Sequence, residues 1–225
     1  MLLPNVLTAA CLFLVTLLAP MGYGTTRIDA HAVVAFINGN AGLLILWNTV
    51  IYVLNAVALT ILVVAVHARL RATTPDWAAV IRGLGLIWAT LMIGAGMIAN
   101  VAVERAAHLA PINIDRATTL WETLHAVELG LGGGNEIAGG VWIGLASTAG
   151  LIGRSLGKTT VGLGLLTGAA GLLTLLPALG DAAGAIFGLG AIAWFIAIGL
   201  ALTNTRHTVS AHAPKRPHRQ KGAGR

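Results

Sequence analysis

Long runs of apolar residues almost free of charge dominate this chain, and they restrict what it can fold into more than any other feature. A bilayer core about 30 Å thick is crossed by roughly 20 apolar residues in a helix. Six such runs are present: Leu2 to Pro20, Ala41 to His67, Trp77 to Val103, about Leu120 to Leu151, Thr159 to Pro177, and about Ala182 to Asn204. The expected fold class is therefore all-α, a polytopic transmembrane bundle of six helices over residues 1–204. Residues 205–225 form a basic tail expected to be disordered and cytoplasmic. Hydrophobic residues make up 56% of the chain and charged residues 10%, far below the roughly 25% charge of a soluble domain. That contrast excludes an ordinary soluble fold and general disorder.

Orientation follows from the basic residues, because cytoplasmic connections of membrane proteins are enriched in Lys and Arg. With the N-terminus inside, one side carries Arg69, Arg71, Arg82, Arg154, Lys158, Arg206, Lys215, Arg216, Arg219, Lys221 and Arg225. The other side has only Arg27, Arg105 and Arg116. Both termini are thus expected in the cytoplasm, in a multi-pass membrane protein. The first run lacks a basic flank and is needed for the alternation, so it reads as an uncleaved span rather than a signal peptide. Cys11 is the single cysteine, which excludes an intramolecular disulfide and fits a small buried apolar residue. The tail suits attraction to anionic lipids, at about 1 kcal/mol per basic residue. It has no aromatic residues between its charges to stack on bases, so no nucleic acid is expected as a partner.

Small residues supply close helix contacts in lipid, where apolar burial gives no drive for association. Gly140 with Gly144, Gly164 with Gly168, and the series Gly180, Gly184 and Gly188 carry that spacing. They predict tight packing among the last three spans, or assembly with other membrane subunits or a second copy of the chain.

Polar residues inside the runs are the candidate sites, since lipid offers them no partners. Asn48, Tyr52 and Asn55 share one face of a regular helix, and Asn100, Glu104 and His108 form a similar stripe on the next span. Interhelical hydrogen bonding without a ligand is the plainer reading of both. The fourth run concentrates Glu122, His125, Glu128, Asn135 and Glu136. In a continuous helix His125 and Glu136 would look into the same groove, with Glu136 near the middle of the membrane. Gly130, Gly132, Gly133 and Gly134 have low helix propensity, so the span is expected to break there and line a polar cavity, or else to let a neighbouring helix approach. The candidate ligand- or ion-binding residues are Glu136, Asn135, Glu128, Asn48, Asn55 and Asn100.

A second constellation lies towards the outer face. Glu122 and His125 form a Glu-x-x-His pair, and Glu104 and His108 end the preceding span. With Glu128, or with Asp29 and His31 of the first external loop, these residues offer the carboxylate and imidazole ligands used for Fe, Mn or Zn. The second Glu-x-x-His of a di-iron bundle is missing, and a solvated belt of charge at the helix ends is the competing reading. His67, His108 and His125 near span ends argue against a b-type haem, and no span holds a lysine for a retinal Schiff base.

One stretch has a familiar pattern: Glu136-Ile137-Ala138-Gly139-Gly140-Val141-Trp142-Ile143-Gly144, then Leu156-Gly157-Lys158, then Gly162, Leu165, Leu166, Gly168, Gly171 and Pro177. Over residues 136–177 it resembles uncharacterised bacterial inner-membrane proteins of the domain-of-unknown-function 4386 type. That resemblance implies a six-span membrane protein and carries no activity. The expected function is a non-enzymatic accessory subunit of a membrane complex, or a small-ligand carrier with its polar focus at Glu136. The alternative is a membrane-embedded metalloenzyme or metal-handling protein using Glu104, His108, Glu122, His125 and Glu128.

Overall fold

A computed structural model describes residues 29–133 and 136–211, and all regular structure among them is helical. Helix α1 runs Ala30–Asn48 and passes through a π-helical segment, Thr49–Leu54, into α2, Asn55–Leu70. Helix α3 is Pro75–Leu109, and α4 is Ile114–Glu128. A second π-helical segment, Leu129–Gly133, follows α4, and then come α5, Glu136–Ile152, α6, Lys158–Leu173, and α7, Gly180–Ala211. Three helical stretches are long and apolar enough to cross a membrane: Ala30–Leu70, Pro75–Leu109 and Ala182–Thr203. Lys158–Leu173 is a shorter apolar helix.

Several boundaries differ from expectation. The run expected to start at Ala41 is helical from Ala30, because Asp29 accepts a hydrogen bond from the Ala32 backbone N–H and caps the helix. Asp29 and His31 therefore belong to the start of α1, not to an external loop. The backbone departs from helical geometry at Asn40, whose side-chain amide donates to the Phe36 carbonyl at 3.0 Å. The span expected over 120–151, with a break at its glycines, starts earlier, at Ile114, and is divided into α4 and α5. Helix α7 continues beyond residue 204 to Ala211. The first run, 2–20, and residues 212–225 of the tail lie outside the described residues.

Two cores share α3. The larger lies on its N-terminal half, where Val63, Val66 and Leu70 of α2, Ile81 and Trp88 of α3, Trp142 and Ala146 of α5, and Trp194 and Ile198 of α7 pack together. Trp142 and Trp194 meet edge to face with centroids 5.4 Å apart, and Trp88 lies 5.7 Å from Trp142. Their buried indole N–H groups are satisfied: Trp142 donates to the Ile81 carbonyl at 3.0 Å and Trp194 to Ser147 Oγ at 3.1 Å. The smaller core lies on the C-terminal half of α3, where Val33, Val34, Ile37 and Leu44 of α1 meet Ala102, Val103 and Ala106 of α3 and Ala117 and Trp121 of α4.

Close packing of α5 on α6 follows the glycine spacing. A Cβ on Gly168 would lie 2.7 Å from Gly144 Cα, and one on Gly140 would lie 2.9 Å from Gly171 Cα, so only hydrogen permits this approach. The Gly180, Gly184 and Gly188 series does not repeat the device. Among the described residues nothing lies within 4 Å of a Cβ on Gly184 or Gly188, and α7 instead meets the bundle through Gly190, against Thr167, and Trp194, against Gly164. At one end of the molecule Arg69 donates twice to the Ser155 carbonyl, at 3.1 and 2.9 Å, and so joins the α2–α3 turn to the α5–α6 turn.

Candidate functional site

The two π-helical segments have different local causes. Thr49, Val50, Ile51 and Val53 are β-branched and crowd a regular turn, and Thr49 Oγ1 donates back to the Ile45 carbonyl at 2.7 Å, a bond that bends helices. The second segment is Leu-Gly-Leu-Gly-Gly, where three glycines weaken the α-helix. The weakness expected at these glycines takes the form of a widened turn. Both segments lie against α3 at glycines two positions apart. A Cβ on Gly96 would collide with Tyr52 of the first segment, and one on Gly94 would lie 2.9 Å from Leu131 of the second.

This arrangement brings Tyr52 to Glu128. The Tyr52 hydroxyl donates to Glu128 Oε1 at 2.7 Å, and His125 Nδ1 lies 2.8 Å from Glu128 Oε2. Both carboxylate oxygens thus have partners, and the Glu128 side chain is only 3% exposed while that of His125 is 12% exposed. Trp121 stacks on the His125 ring with centroids 4.7 Å apart and an interplanar angle of 16°. Nearby on the first segment, Asn100 Nδ2 donates to Thr49 Oγ1 at 3.1 Å, while Asn100 Oδ1 is buried with no hydrogen-bond partner among the described residues.

Chemically, the pair His125–Glu128 can hold one proton at either of two atoms. With the proton on Nδ1 the pair is a donor imidazole beside a carboxylate, and with it on Oε2 it is a carboxylic acid beside an accepting imidazole. Tyr52 holds Oε1 in both states. A carboxylate that exchanges a proton with an imidazole in a closed, apolar setting suits proton-linked binding of a small ligand.

The other expected site residues fall as follows. Asn48 is buried at the end of α1 and Asn100 belongs to the Thr49 contact, but Asn55 is exposed. The face drawn through Asn48, Tyr52 and Asn55 assumed 3.6 residues per turn, and the π-helical segment between them breaks that register. Glu136 opens α5 half-buried, with its backbone carbonyl against Gly171 of α6. The interruption before it removes the continuous groove expected to join it to His125. Asn135 lies outside the described residues. Of the outer constellation, Glu104, His108 and Glu122 are exposed, and only His125 and Glu128 come together. Asp115 and His31 approach to 3.9 Å at the surface. Among the described residues no group of three or more His, Cys, Asp or Glu is placed to hold a metal.

Sequence reasoning missed the Tyr52–Glu128 bond, which joins residues 76 positions apart. A signal was available in Gly94-Ala95-Gly96, since glycines two apart face different sides of a helix and admit two different neighbours. No family model, curated protein or solved structure matches this chain.

Proposed function

We propose that the chain is a multi-pass inner-membrane protein of six spans, with both termini in the cytoplasm, that works as a proton-linked carrier of a small ligand. Its polar focus is Glu128 rather than Glu136. The observation that carries this reading is a glutamate almost wholly enclosed, bonded through one oxygen to Tyr52 and through the other to His125. Burying a carboxylate in hydrocarbon is costly, and structural hydrogen bonding alone is met more cheaply by an amide or a hydroxyl.

The surroundings support a membrane setting. Ile61 on α2, Met97 on α3, and Leu189, Ile196 and Leu200 on α7 all present apolar side chains outward. Residues 83–103 of α3 carry no charge, and at 1.5 Å per residue they span about 31 Å, the thickness of a bilayer core. The Arg69 bond to Ser155 gathers two basic connections at one end, as the proposed orientation requires. Assembly with a second copy or another membrane subunit has support of its own in the unfilled space beside Gly184 and Gly188. The metal-handling reading has less support, because its five residues do not converge.

Vesicles loaded with a pH-sensitive dye and given a potassium diffusion potential test the carrier reading. Wild-type protein is expected to pass protons above the rate of empty vesicles, and Glu128→Gln to abolish the excess. An equal flux through both proteins, with both correctly inserted, would overturn it.

A further inference from the structure

The Tyr52–His125–Glu128 site does not sit symmetrically between the two ends of the molecule. Towards the α3–α4 turn, α4 carries Asp115, Thr118, Glu122 and His125 at spacings of three and four, so successive members are neighbours on one face. His31 of α1 joins this face, with Nε2 at 3.9 Å from Asp115 and Nδ1 at 3.5 Å from Thr118 Oγ1. The outer members of this face are in contact with solvent, Asp115 at 84% and His31 at 61% exposed and Glu122 exposed one turn beyond the buried Thr118, and the face closes at His125, 12% exposed, and Glu128, 3% exposed. A polar seam therefore runs from the surface to the buried pair.

The opposite direction has a different character. Glu122 and Glu128 are six residues apart, or about 9 Å along the helix axis. From Gly96, the level at which Tyr52 is seated, to Arg82 at the other end is fourteen residues of α3, about 21 Å. That longer stretch is filled by Trp88, Trp142, Val63 and Ile81, whose indole donor on Trp142 is already taken up by the Ile81 carbonyl. A proton leaving Glu128 meets polar groups within one or two turns on one side and a packed apolar core on the other.

We infer that, in the conformation described, His125 and Glu128 exchange protons with the face bearing Arg116, along the seam of His31, Asp115, Thr118 and Glu122, much faster than with the opposite face. The step balances without a further reagent. A proton arriving at the outer nitrogen of His125 forms imidazolium. Transfer of its Nδ1 proton to Glu128 Oε2 then breaks one N–H bond, forms one O–H bond, and leaves neutral imidazole beside a neutral acid. The charged and titratable groups on the elements packed around the pair are Asp29 at the cap of α1 and His31 on it, Tyr52 on the first π-helical segment, Asp76 and Arg82 at the far end of α3 and Glu104, Arg105 and His108 at its near end, and Asp115, Arg116 and Glu122 on α4. Glu104, Arg105 and His108 are exposed at the same outer end. The seam rests on the protonatable site proposed above and adds to it a single open side.

Trp121 provides the readout, because an imidazolium stacked on an indole quenches its emission. The signal is isolated by subtracting a Trp121→Phe protein, in vesicles whose orientation is set by impermeant labelling of single-cysteine variants at Arg116 or Arg154, made with Cys11 replaced by Ser. Acidification from about pH 8 to about pH 5 on the Arg116 face is expected to quench the signal at once, and acidification on the Arg154 face only at the slower rate of transmembrane proton flux. Thr118→Val and Glu122→Gln are expected to slow the fast response several-fold without changing its sidedness. Equal rates from the two faces, or a faster response to the Arg154 face, would overturn the one-sided seam and leave the protonatable site standing. Unchanged rates in both seam variants would overturn the route. No response to either face would overturn the protonatable site itself.

Discussion

The two cores on α3 treat a buried donor in different ways. In the larger one, the indole N–H groups of Trp142 and Trp194 bond to a backbone carbonyl and a serine hydroxyl, groups that stay neutral at any ordinary pH. Beside the smaller one, the Tyr52 hydroxyl bonds to a carboxylate that also faces a histidine. The neutral pairs hold each proton on one atom, whereas in the site proposed above a proton has two possible seats, His125 Nδ1 and Glu128 Oε2. Three tryptophans, Trp88, Trp142 and Trp194, meet in the first region; the second has one, Trp121, among aliphatic side chains, and two widened turns lie beside it.

The largest effect expected on this contrast comes from Trp142→Ala, which removes a wholly buried ring and strands its neighbours. Loss of about 3–5 kcal/mol of stability, read by denaturant unfolding in detergent, is expected with little change in the pH response of Trp121. A large change in that response would show that the two regions are not separable. Gly96→Ala acts on the other region. The added methyl displaces Tyr52, so a cost of about 1–3 kcal/mol is expected together with loss of proton flux, and flux at the wild-type level would break the link between the glycine and the site. Gly184→Ala touches neither core, since nothing lies within 4 Å of the new methyl. Its stability change is expected within about 0.5 kcal/mol, and a larger loss in thermal unfolding of the reconstituted protein would reveal a partner on that face.

How much of this was legible in the sequence depends on whether the signal was local. The all-helical class and the Gly140, Gly144, Gly164 and Gly168 contacts could be read, because apolar runs and small-residue spacing are properties of one segment at a time. The side on which Asn55 lies could not, because the reading used a uniform turn where Thr49, Val50 and Ile51 force a wider one. Gly184 and Gly188 carry the right spacing but meet no neighbour among the described residues, so spacing alone does not say which face is packed. Glu128 was named as a candidate, yet its decisive partner is Tyr52, and a contact across 76 residues leaves no periodic trace. Glu136 drew attention by its expected depth, which presumed a helix that the glycines interrupt.

Arg69 grips the Ser155 carbonyl with two nitrogens at one end of α2, and Tyr52, just before its other end, is bonded to Glu128. The helix is therefore pinned to the rest of the bundle twice, once by a guanidinium that keeps its charge at any ordinary pH and once through a carboxyl group. Acid can act directly on the second pin and not on the first.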